Sequence, residues 1–155
     1  MTERHVTVLG VGNPIMGDDG IGLELLARLG ARRTDPRIEY LDGGTAGMEL
    51  IPVVQDASRL LILDAVASTL PPGTPLRLGG DQLPRLLASR LSPHQVSLLD
   101  VLTAARLLGT EPDAVEVVGV VPADVELRLG LTPAVAAGLD AAVDLADQVL
   151  GSWLD

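Results

Sequence analysis

HVTVLGVGNPIMGDDGIGLELLARLGA, residues 5–31, decides the architecture. It opens with a β-branched apolar run, crosses a glycine-rich turn that holds two adjacent acids, and ends in a segment with Ile21, Leu25, Leu26 and Leu29 on one helical face. The pattern predicts a strand over about residues 5–12 and a helix over about 19–31. Working outward, the same alternation continues. A second strand is expected at about 37–41 and a second helix at about 45–55. Residues 59–63, RLLIL, form a continuous apolar run of the kind buried on both faces of a parallel sheet.

Pro71, Pro72, Gly73 and Pro75 mark a loop, and residues 74–78 predict a short strand at a sheet edge, where proline disturbs least. A short helix is expected at about 82–88. Ser92-Pro93-His94-Gln95 is a helix start: Ser92 as N-cap, Pro93 at N1 and Gln95 closing a capping box. That helix should run to about residue 108 and stop at Gly109. A last strand is expected at 115–121. Thr132-Pro133 opens a final helix whose Val135, Leu139, Val143, Ala146 and Val149 keep helical spacing. Alternating strands and helices over 155 residues, with no repeat and no long linker, predict one three-layer α/β domain spanning residues 1–155.

Composition excludes several chemistries. There is no cysteine, so disulfides, thiol nucleophiles and thiolate metal sites are absent. All 11 basic residues are arginine, which removes Schiff-base and P-loop lysines. A formal charge of −10 repels phosphate backbones and anionic lipid, and one Trp and one Tyr leave no stacking platform, so neither nucleic acid nor a membrane is an expected partner. No basic segment followed by an apolar core begins the chain, and no apolar run approaches the ~20 residues of a membrane span; a cytoplasmic protein, a monomer, is expected.

Ligands of doubly wound sheets bind at the carboxyl ends of the strands, where the winding reverses. Three acids fall just past strand ends: Asp18 or Asp19 after the first, Asp42 after the second, Asp64 after the third. Either of the adjacent pair can cap the helix while the other points outward. Of the two histidines, His5 begins the first strand at the wrong end, whereas His94 stands at N2 of a helix, where the dipole favours the neutral imidazole that a metal requires. Two carboxylates and an imidazole suit nickel, zinc or iron with positions left open. No HExxH or GxSxG motif accompanies them. Gly10-Val11-Gly12 imitates a dinucleotide-binding turn, but Ile15 stands where the third glycine belongs and Asp18 and Asp19 would repel a pyrophosphate; no nucleotide or organic cofactor is expected.

Taken together, VLGVGNPIMGDDGIG, LDGGTAGMEL, LLILDAV, LSPHQVSLLDVL and VVGVVPADVELRLGLTPAV resemble the hydrogenase maturation endopeptidases over nearly the whole chain. The resemblance implies an α/β/α sandwich, phosphorylase/hydrolase-like, around a five-stranded mixed sheet of order 2-1-3-5-4 with strand 4 antiparallel. It implies a metal-recognising, catalytic triad carried here by Asp19, Asp64 and His94, with either Asp18 or Asp19 as the first ligand. Asp42, Gly43, Gly44 and Thr45, together with Asp18, are implied in substrate recognition. The implied activity is endopeptidase removal of a C-terminal extension from the nickel-loaded large subunit of a nickel–iron hydrogenase. The resemblance further implies that the cut falls after a basic residue, and the nickel is expected to arrive with the substrate.

Overall fold

A computed structural model describes residues 5–46, 48–79 and 93–155, with residues 48 and 93–99 described by their backbone alone. Five strands build one sheet: β1 (Val6–Val11), β2 (Ile38–Gly44), β3 (Arg59–Ala65), β4 (Pro75–Gly79) and β5 (Ala114–Val120). Their order is β2-β1-β3-β5-β4, with β4 antiparallel to β5 and every other pair parallel. Among the described residues four helices flank it: α1 (Ile21–Arg32), α2 (Ile51–Asp56), α3 (Pro93–Leu107) and α4 (Pro133–Leu154).

The period-two alternation of the strands sorts the core into two halves. Val6 and Val8 of β1, Leu61 and Leu63 of β3, and Val118 and Val120 of β5 face α1 and α4. Leu9 and Val11, Leu60 and Ile62, and Val117 face α2 and α3. Both faces of β1 and β3 are thus covered, which is why RLLIL reads as an unbroken apolar run. On the outer surface Arg28 and Arg32 of α1 and Arg33 just past its end pair with Asp140, Asp144 and Asp147 of α4, arranging the two amphipathic helices side by side.

Several boundaries move for identifiable reasons. The second helix does not span 45–55: α2 covers only Ile51–Asp56 after a 3-10 turn at Met48–Leu50, because Pro52 lacks an N–H and fits only a first turn. The first helix is likewise preceded by a separate 3-10 turn, Gly17–Gly20. β3 continues past Leu63 to Ala65, since β5 pairs with it through Asp64↔Gly119 and Ala65↔Val120. β2 reaches Gly44, so Asp42 and Gly43 belong to the strand. α3 closes as its sequence predicts, with Gly109 at φ +70°. The expected helix at 82–88 and the Ser92 cap lie outside the described residues.

Candidate functional site

From β1 the chain goes first to β2 on one side and later to β3 on the other, so the winding reverses at β1. The β1–β3 ladder ends at Gly10↔Leu63, and the β1–β2 register slips between Gly10 and Val11. The carboxyl ends part there, and residues 12–20 fold into the gap. Gly12, at φ +139°, is required: a Cβ would collide with the Asp19 carbonyl. The Asn13 amide donates to Asp19 Oδ2 at 3.0 Å, and Asn13 Oδ1 accepts from the Ile15 amide at 3.2 Å. The turn is therefore wound around the Asp19 carboxylate, which is half-buried.

Asp64 lies within β3 and not, as the sequence suggests, past its end. Its register puts it on the face of Leu60 and Ile62, beneath α2 and α3, where it is buried, and its Oδ1 accepts the Ala65 amide at 2.8 Å. The 3-10 turn that carries Asp19 packs against β3. On the same face α3 runs antiparallel to the strands. Val101 and Ala105 enter the core there, and just beyond α3 the Asp113 amide meets the Ser58 carbonyl at the amino end of β3. A 15-residue helix spans roughly 22 Å, about the length of a seven-residue strand. The first turn of α3, with position 94, therefore lies at the carboxyl edge on the Asp64 side. The His94 side chain lies outside the described residues, and the described side chains alone contain no group of three metal-ligating residues.

Asp18 corrects an expectation. It is neither a helix cap nor an outward acid: Gly20 stands at the N-cap of α1 with no side-chain cap bond, and Asp18 is completely buried. Its carboxylate accepts four hydrogen bonds, from the Thr132 amide (2.7 Å), the Thr132 hydroxyl (2.8 Å), the Ala123 amide (2.9 Å) and the Asp124 amide (3.0 Å). Burial raises its pKa, but the hydrogen bonds from Thr132, Ala123 and Asp124 outweigh burial and hold the carboxyl below its usual range. A sealed carboxylate of this kind cannot touch substrate or take a water's proton. Asp18 instead binds the loop after β1 to the loop after β5, alongside backbone bonds from Asp18 to Asp124, Gly17 to Arg128 and Arg128 to Ile15. Thr132 stands at the N-cap of α4, yet its hydroxyl serves Asp18 and makes no cap bond. No local signal in residues 123–132 announces this role.

Asp42 is exposed, and its Oδ1 accepts the Gly44 amide at 2.9 Å. Gly44, at φ +51°, in turn accepts the Gly12 amide at 2.8 Å, which joins the β2 exit to the β1 turn. Gly43 packs against Leu9 and Val11, and Thr45 is exposed in the following turn. Because β1 separates β2 from β3, the Asp42 backbone stands two strands, roughly 10 Å, from that of Asp64, and its pairing with Gly10 puts it on the face of Val6 and Val8, opposite Asp64.

Among the described residues no helix is long and apolar enough to cross a membrane. A family model for hydrogenase maturation proteases matches residues 4–149. The chain is 41% identical over 142 residues to the Hydrogenase 2 maturation protease of Escherichia coli K12, covering 90% of this chain and 87% of that one. Its fold superposes on the hydrogenase maturating endopeptidase HybD of E. coli with a TM-score of 0.90 at 37% identity, covering 97% and 94% of the two chains. It superposes on the NiFe hydrogenase maturation protease HybD of Thermococcus kodakarensis at 0.77 and 26%, covering 94% and 98%. With a shared strand order, a match along almost its whole length and this identity, the chain belongs to the hydrogenase maturation protease family.

Proposed function

We propose that this chain is the endopeptidase that removes the C-terminal extension of a nickel–iron hydrogenase large-subunit precursor, after nickel insertion, by engaging the substrate's nickel through Asp19, Asp64 and His94. The observation that carries this reading is the convergence at one sheet edge of the buried Asp64, the turn wound around Asp19 and the first turn of α3. Oxygen and imidazole ligands leave the soft positions of the metal to the precursor's own thiolates.

Anchoring the nickel holds the neighbouring peptide bond in a fixed pose. Such positioning contributes up to ~7–11 kcal/mol in ideal cases. Water then adds to the scissile carbonyl, and the products are a new C-terminal carboxylate and a released peptide. Asp42, exposed at the carboxyl end of β2, receives the basic side chain that precedes the cut. Gly43, Gly44 and Thr45 shape the floor beneath that side chain.

The test is mass analysis of the precursor's C-terminus. Metal-stripped enzyme is expected to cleave nickel-loaded precursor and to ignore both nickel-free precursor and a synthetic peptide spanning the cut. Zinc-restored cleavage of the nickel-free precursor would instead assign the working metal to the enzyme.

A further inference from the structure

Seven large apolar side chains are exposed among the described residues, and four of them, Ile15, Val125, Leu127 and Leu129, belong to two loops that are hydrogen-bonded to each other. The Arg128 amide donates to the Ile15 carbonyl at 3.0 Å and the Gly17 amide to the Arg128 carbonyl at 2.8 Å, so these side chains share one surface. The usual sorting is inverted there. Asp124 accepts the Glu126 amide at 2.9 Å and pairs with Arg128 at 3.5 Å, so polar side chains hold the loop together. Leu127 and Leu129 meanwhile stand 76% and 80% exposed. Clustered apolar exposure of this kind marks an interaction surface.

Two features identify the occupant. The patch is continuous with the site: Asn13 holds the Asp19 carboxylate with its amide and the Ile15 amide with its side chain. In addition, Glu126 is exposed between Val125 and Leu127 on a chain of net charge −10, so a second copy is repelled while a basic-rimmed partner is attracted. We infer that Ile15, Val125, Leu127 and Leu129 form a docking surface for an apolar, arginine- or lysine-flanked part of the large-subunit precursor, seated beside the bond to be cut. This deepens the proposed function and rests on it for the identity of the partner.

The test compares wild type with the Leu127→Ser/Leu129→Ser double variant on nickel-loaded precursor, with thermal melts as a folding control. KM is expected to rise about tenfold or more while kcat and Tm hold, the signature of lost uniform binding. An unchanged KM, or a loss confined to kcat, overturns the docking surface and leaves the proposed function standing. If wild type does not cleave the precursor, the proposed function fails, and binding decides the surface. It stands if wild type binds precursor and the variant binds about tenfold more weakly, and otherwise falls. A concentration-dependent dimer that the double variant abolishes in sedimentation overturns the inference, because it assigns the patch to a second copy.

Discussion

Asp18→Asn should damage the fold far more than the loss of a helix cap. The substitution keeps shape and removes charge. With its one carbonyl oxygen turned to the Oδ2 position, the amide can still accept from Ala123, Asp124 and the Thr132 hydroxyl. Its NH2 then faces the Thr132 amide, donor against donor, where Oδ1 accepted at 2.7 Å. A buried donor left unpaired costs about 1–3 kcal/mol, and three bonds that lose their charged acceptor weaken by roughly 1 kcal/mol each. Allowing for non-additivity, the loss is about 3–5 kcal/mol, as for other broken buried charged networks. For a domain of this size that lowers Tm by roughly 6–20 °C. A lost cap, by contrast, costs ~1 kcal/mol.

Acid should erase the difference. Because the folded carboxyl titrates below its ordinary value of 3.8, its contribution is complete above that pH and fades as pH falls through the lower folded value. Wild-type stability should therefore drop steeply below about pH 4, and the Asn variant should lack that component. Thermal melts from pH 3 to 7 check both points. A Tm within ~4 °C of wild type at pH 7, or parallel acid profiles, would refute the assignment of Asp18 as a buried latch.

Asp64→Asn and His94→Ala are each expected to abolish precursor cleavage while the protein stays folded; a folded His94→Ala enzyme that still cleaves removes the imidazole from the mechanism. Gly12→Ala and Gly109→Ala separate close approach from backbone conformation, since both have positive φ but only Gly12 has the Asp19 carbonyl against it. Gly109→Ala should cost about 1–2 kcal/mol and spare activity, whereas Gly12→Ala should lower Tm further and reduce cleavage. Equal effects in melts and assays would show that the Asp19 contact is unimportant.

The alternation of strands and helices was legible because that information is local, whereas the strand order and the antiparallel β4 came only from the family resemblance. Two-residue alternation, helical spacing and glycine or proline punctuation are written within a dozen residues, and β3 and α4 could be read directly from them. The positions of Asp64 and His94 were legible for the same reason: one follows an unbroken apolar run and the other stands in the first turn of a marked helix. Even here local reading erred by a residue or two, and Asp64 fell inside the strand because β5, 50 residues later, extends the ladder. What only the tertiary structure decided is the division of labour between Asp18 and Asp19. They are identical neighbours in one turn, so no propensity or spacing tells them apart. The difference comes from Ala123, Asp124 and Thr132, 105 to 114 residues away, which surround one carboxylate with four donors, while the other is held in the site turn by Asn13. Hydrogen bonds across such a separation leave no periodic trace in the chain, and they exist only once the sheet has brought the two loops to the same edge.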